Sequence, residues 1–104
     1  MTIEENTDHS ISLNEAAQMT KRYRQSVPAG SIIATGFGKN SLQSILNQED
    51  CAGIRMYFAL TEDNKISLVL TGVKDNGNDI YDGQLAEHGA DCPPYCSSPN
   101  PLNG

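Results

Sequence analysis

Apolar positions in the first third of the chain recur at helical spacing. Ile11 precedes Ser12-Leu13-Asn14-Glu15, a capping-box pattern. In it the Ser12 hydroxyl accepts from the Glu15 N–H, and the Glu15 carboxylate reaches back to the Ser12 N–H. Leu13, Ala16, Ala17, Thr20 and Tyr23 then make one helical stripe. Lys21, Arg22 and Arg24 fall in the last turns, where positive charge suits the helix's negative end. Pro28 blocks continuation, so the spacing predicts a helix over 13–26. A short apolar stretch, Ser31–Ala34, leads into Gly36-Phe37-Gly38-Lys39. A second helix follows, with Asn40 or Ser41 as cap, Leu42, Ile45 and Leu46 on one face, and an end near Gln48.

The period then changes to two. Ile54, Met56, Phe58 and Leu60 alternate with Arg55 and Tyr57, and Ile66, Leu68 and Leu70 repeat the pattern. Polar Thr61–Asn64 separates the two runs, which reads as an antiparallel hairpin whose apolar sets face the core. Asp75-Asn76-Gly77-Asn78 is a second turn, with an Asn-Gly pair that tolerates positive φ, returning a short third strand around 79–81. The expected fold class is α+β: two N-terminal helices packed on a small antiparallel β-meander, followed by an irregular Cys/Pro-rich C-terminal tail.

Composition sharpens the boundaries. Leu, Ile, Val and Phe number 21 of 104 residues, near the roughly 20% level below which charged chains stay disordered. All but Ile3 and Leu102 lie between Ile11 and Leu85. Residues 1–10 are therefore expected to be a flexible acidic tail and 11–85 a single core. Residues 86–104 are expected to fold back on that core, held by a staple rather than by apolar burial.

Seven basic residues against 13 acidic ones give a net charge of -6. That balance excludes nucleic acid as a main partner, because phosphate binding needs a basic face, and it disfavours an anionic membrane surface. The start, Met1–Glu5, is acidic and unlike a signal peptide, so a cytoplasmic location is expected. No basic residue follows Lys74, while Asp75, Asp79, Asp82, Glu87 and Asp91 do.

Two loop motifs fail on spacing. In Gly36–Ser41 the first Walker A glycine would be Ile33 and the residue after Lys39 is Asn40, so the segment reads as a turn before a helix. Asp75–Asp79 with Asp82 is dense in oxygen ligands but lacks EF-hand spacing, which favours a hairpin turn over calcium.

The cysteines carry more chemistry. Cys92-Pro93-Pro94-Tyr95-Cys96 is C-x3-C, not the C-x-x-C of thioredoxin-like sites. A straight polyproline II run would hold the two Cα atoms about 12 Å apart, beyond the roughly 7 Å limit of a disulfide. A bridge therefore requires the segment to turn, for example at a cis X-Pro bond. His88 extends the pattern to H-x3-C-x3-C, a candidate set for a zinc-like ion with Cys51, Asp91, His9 or water as fourth ligand. Metal site, structural disulfide, redox thiol and inert cysteines all remain open from the residues alone.

No nucleophile–base–acid set converges, so no enzymatic activity is expected. Arg55 and Tyr57, residue types favoured as interface anchors, are candidate contacts for a protein partner or a second copy. Lys21, Arg22 and Arg24 could meet an acidic partner, although helix-dipole compensation explains them as well.

Three blocks, Ser12–Arg24, Ile45–Tyr57 (Ile-Leu-Asn-Gln, then Gly-Ile-Arg-Met-Tyr) and Cys92–Ser97, make the chain resemble a family of short uncharacterised bacterial proteins of about 100 residues. The resemblance implies that the CPPYC ending is native to the protein. It brings no activity or ligand. The expected function is a non-enzymatic cytoplasmic protein-interaction module, with a metal-binding protein and a small thiol redox protein as alternatives.

Overall fold

A computed structural model describes residues 3–104. Met1 and Thr2, the start of the expected acidic tail, lie outside the described residues. The class is α+β, with two helices and antiparallel strands. The chain divides into two compact units, each assembled from separated segments. One holds Gly36–Gly89 with the N-terminal residues through Thr7; the other holds Asp8–Thr35 with Ala90–Gly104. The first helix and the C-terminal chain share a unit, and Arg24 of that helix donates to the Leu102 carbonyl.

The first unit is a three-stranded sheet with one helix. Strands β2 (Gly53–Leu60), β3 (Ile66–Val73) and β4 (Asp79–Ala86) lie in that order, with β3 central and all pairs antiparallel. The hairpin at Thr61–Asn64 forms as expected. Thr61 N–H donates to Lys65 O at 2.9 Å, and Asn64 takes the left-handed φ of 61° that closes the turn. In the second turn only Gly77 is left-handed, at φ 90°; Asn76 is not.

β4 is longer than the short strand expected over 79–81, because a bulge carries it on. Thr71 pairs with Leu85 while its neighbour Gly72 pairs with Ile80, so residues 81–84 have no partner on β3. The Gln48 side chain takes over there, its Oε1 accepting from the Gln84 N–H at 2.8 Å while its Nε2 donates to Ile45 O at 2.9 Å.

Helix α2 (Lys39–Leu46) begins from Gly38, which offers no side-chain cap, rather than from Asn40 or Ser41. It touches all three strands and buries Ile45 to 1% exposure. An eight-residue helix is about 12 Å long, whereas an eight-residue strand runs about 27 Å. The helix therefore covers one end of the sheet and no more. Leu70, Thr71, Gly72 and Val73 are consecutively buried, because both faces are covered at this end: Gln48 and Cys51 lie over Gly72 on one face, and the Ile3 side chain stands by Gly53, the strand partner of Val73, on the other. Of the expected core positions, Leu70 is buried and Ile54 and Leu68 are half-buried, while Met56, Phe58, Leu60 and Ile66, toward the hairpin turn, are exposed.

The second unit contains α1 (Leu13–Ser26), whose bounds match the helix read from spacing. The Ser12 hydroxyl accepts from the Glu15 N–H at 3.1 Å, the first half of the capping box. Its other elements, β1 (Ala34–Gly36) and β5 (Ala90–Cys92), form a two-stranded ladder. Beside it the Ile33 N–H donates to Cys92 O at 2.8 Å. The C-terminal segment is thus not wholly irregular. Arg24 Nη1 donates to Leu102 O at 2.6 Å, and the Asn103 side chain donates to Ser97 O at 3.1 Å. Polar contacts order this stretch where apolar residues are too few.

Candidate interaction surface

In-register pairing sorts the β2–β3 hairpin into two chemically distinct faces. Ile54, Met56, Phe58 and Leu60 stand opposite Gly72, Leu70, Leu68 and Ile66. Side chains on directly opposed residues share a face, so this face carries no charged residue on either strand. At one end Gln48 and Cys51 lie over Gly72, within 2.9 and 3.1 Å of where a Cβ would stand. Toward the turn none of the described residues covers it: Phe58 is 83% exposed, Leu60 70%, Met56 52% and Ile66 40%. Alternation is the signal that found these residues; it does not reveal that the covering helix is too short to reach them.

The opposite face holds Arg55 and Tyr57 in a network. Arg55 Nη1 donates to Gly77 O at 2.9 Å and pairs with Asp79 Oδ1 at 2.5 Å. The Tyr57 hydroxyl donates to the other Asp79 oxygen, Oδ2. The guanidinium reaches from β2 across β3 to the β3–β4 turn and fixes that turn in place. The Tyr57 hydroxyl, ahead of the Arg55 hydrogen bond and charge, lowers the Asp79 carboxyl pKa below the usual range. Hydrogen bonding to Asp79 raises both the Tyr57 and Arg55 pKa values. Arg55 is thereby engaged within its own sheet, while Tyr57 stays half exposed. Asp79 was legible only as one of a run of acidic residues; its pairing depends on the register that brings it beside Arg55.

The other sequence-derived sites disperse. Lys21 and Arg22 are exposed on α1, whereas Arg24 holds the Leu102 carbonyl. Cys92 and Cys96 are bonded to each other, with Cα atoms 4.7 Å apart. The chain turns there through cis Cys92-Pro93 and Pro93-Pro94 bonds. Cys92 is buried and Cys96 exposed. Cys51 is a free, half-buried thiol whose Sγ donates to Gly53 O at 3.2 Å. His88 sits at φ 64° with its ring in solvent, Nδ1 lying 3.1 Å from Glu87 Oε1. The His88 backbone N–H, followed by the Ser67 hydroxyl, lowers the Glu87 pKa.

Among the described residues no three His, Cys, Asp or Glu side chains are grouped to hold a metal ion, the Asp75–Asp82 turn included. The expected set His88, Cys92, Cys96 and Cys51 is not brought together as ligands, because two of its thiols bond each other and a disulfide offers no thiolate. No helix among the described residues is long and apolar enough to cross a membrane.

No family model, curated protein or solved structure matches the chain.

Proposed function

We propose that the chain is a non-enzymatic protein-interaction module whose contact surface is the uncharged face of the β2–β3 hairpin. The observation that carries this reading is Phe58, 83% exposed at the centre of an apolar strip with no charge among its members. Leaving such side chains in water forfeits their transfer free energy unless a partner removes them. Arg55 and Tyr57 act from the other face, fixing the hairpin so that the strip is presented rigidly, with Tyr57 open to direct contact. Lys21 and Arg22 remain available to an acidic partner; Arg24 is committed to Leu102.

A photo-crosslinking benzoylphenylalanine in place of Phe58 tests the reading in living cells, with the same residue in place of exposed Tyr81 as control. A protein adduct specific to position 58, to this chain or to another, is expected. Equal labelling at both positions, or none at either, would remove the basis for the module.

The Cys92–Cys96 bond favours a second reading, a small thiol redox protein. An external thiolate would attack the exposed Cys96 sulfur, form a mixed disulfide and release Cys92 as thiolate. Thiol titration with and without reductant counts the free sulfurs directly. One thiol under native conditions and three after mild reduction are expected; resistance to any reductant short of denaturation would count against redox cycling.

The zinc alternative requires that reduced state, and zinc retained by reduced protein through dialysis is its test. A cytoplasmic location stands in tension with the bonded pair, since structural disulfides seldom persist there. Fractionation of cells carrying the untagged protein decides between compartments.

A further inference from the structure

We propose that the Cys92–Cys96 bond is a redox latch: its reduction releases residues 97–104 from α1 and frees the Arg24 guanidinium. The inference rests on the thiol-exchange reading above and says what that exchange controls.

The segment beyond the bond has little else to hold it. Cys92 is 6% exposed, whereas no residue from Pro93 through Gly104 is buried. Residues 97–104 satisfy one another instead. The Asn100 N–H donates to Asn103 Oδ1 at 2.8 Å, the Asn103 side chain donates to Ser97 O, and the Gly104 N–H donates to Asn100 O at 3.1 Å. Among the described residues one hydrogen bond ties this turn to the rest of its unit, from Arg24 Nη1 to Leu102 O at 2.6 Å. The same guanidinium lies beside Gly104, where a Cβ would stand 3.6 Å from its Nε. A single exposed hydrogen bond contributes less than the ordering of several residues costs. The turn therefore needs a second point of attachment.

The disulfide supplies it. Cys92 ends β5, and its carbonyl accepts from the Ile33 N–H at 2.8 Å. The bond holds the Cys96 Cα 4.7 Å from that anchor. Four extended residues reach up to about 14 Å, so opening the bond enlarges the volume available to Cys96 by up to roughly twenty-fold. Leu102 follows on the same tether, and its effective concentration at Arg24 falls with that volume. Two backbone hydrogen bonds across the loop remain after reduction, Tyr95 N–H to Asp91 O and Cys96 N–H to Pro94 O. Neither joins 97–104 to α1.

The reductant is a dithiol. One of its thiolates attacks the exposed Cys96 sulfur, forming a mixed disulfide while Cys92 leaves as thiolate and takes a proton from water. The second thiolate of the reagent attacks the first sulfur of the reagent, closes the reagent's own disulfide and releases Cys96. The protein gains two electrons and the dithiol loses two. Release changes the charge that α1 presents. Lys21 and Arg22 are exposed in both states, and Arg24 joins them once the Leu102 carbonyl lets go.

Nuclear magnetic resonance on the isotope-labelled full chain, oxidised and after dithiothreitol, reads the latch. The oxidised protein should show Overhauser contacts between Gly104 and the Arg24 side chain. After reduction the ratio of docked to free segment should fall about tenfold or more. The contacts should then disappear, and backbone order parameters across 97–104 should drop below about 0.6. Resonances of residues 13–20 and of the β2–β4 sheet should keep their positions. Cys92→Ser combined with Cys96→Ser should show the released state without reductant and ignore dithiothreitol. Cys51→Ser, which keeps the bond, should respond as wild type does.

Contacts and order parameters that survive both reduction and the paired serine change would overturn the latch. Thiol exchange would still stand, because titration would count three thiols after reduction. Loss of the α1 and sheet resonances along with the segment would also overturn it, making the bond a staple for the whole fold. A bond that dithiothreitol opens only in denaturant would remove the redox reading and the switch with it, even where the serine pair frees the segment.

Discussion

Replacing Leu70 by alanine tests whether this sheet is buried by end or by face. Leu70 is 0% exposed on the central strand, directly between Met56 on β2 and Ala86 on β4. Truncation removes a fully buried isobutyl group, and such changes cost about 2–5 kcal/mol according to how far the site collapses. Ala86 is small and cannot fill the space, while Met56 is half exposed and can swing part-way in, which places the cost near 3 kcal/mol. For a domain of this size each kcal/mol lowers Tm by about 4–8 °C, so a fall of about 12–24 °C is expected.

Phe58→Ala is the matched comparison. Phe58 shares the face with Leu70, and strict alternation would make it an equal core residue. At 83% exposure its truncation should cost less than about 0.5 kcal/mol. Urea unfolding followed by circular dichroism, at a concentration low enough to exclude self-association, gives both values; an unchanged slope validates the comparison. Equal costs at the two positions would refute the reasoning, and so would a Leu70→Ala cost below about 1 kcal/mol.

Three further outcomes are expected. The lowered pKa of Asp79 makes it a stabilising group above the ordinary carboxylate pKa, with the contribution lost as pH falls through the folded value; Tyr57→Phe removes its leading cause, so carboxyl titration by NMR should show the Asp79 pKa moving up toward normal. Gly83→Ala places a methyl group against Gln48 Oε1 and breaks the bond to Gln84, a loss of about 1 kcal/mol that should largely vanish when Gln48 is already alanine. Reducing the Cys92–Cys96 bond opens a loop with a sequence separation of only 4, for which chain entropy predicts a cost of about 2 kcal/mol, read as the difference in thermal unfolding between the wild type and a variant with both cysteines replaced by serine.

Local rules were legible and long-range ones were not. Ser12, Leu13 and Pro28 define α1 because a cap, a stripe and a stop are each read within a few residues. Thr61–Asn64 marks its hairpin for the same reason. The four unpaired residues of β4 could not be read, since the bulge is stabilised by Gln48, more than thirty positions away in the chain. The Arg55–Asp79–Tyr57 network was half visible: alternation put Arg55 and Tyr57 on one face, but only the β3–β4 register supplies the carboxylate. For Cys92 and Cys96, the requirement that the segment turn was legible, and the choice among bridge, metal and free thiols was not.

The length of α2 links the fold to the proposed contact. A helix that began at Ser31 and continued through Gln48 would cover the whole hairpin face, and Phe58 would then be an ordinary core residue. Gly36 and Gly38 instead start it at Lys39, and the backbone turns at Asp50, φ 63°, soon after its end. The eight residues, with Gln48 just after them, cover the Leu70 and Gly72 end of this face, and the remaining apolar positions of β2 and β3 on it extend past them. Because alternation continues to Leu60 although the helix does not, the overhanging residues follow a pattern that the monomer's own packing does not require. The proposed interface would require it, and polar substitution at Phe58 separates the two demands: it should spare the fold and cost the contact.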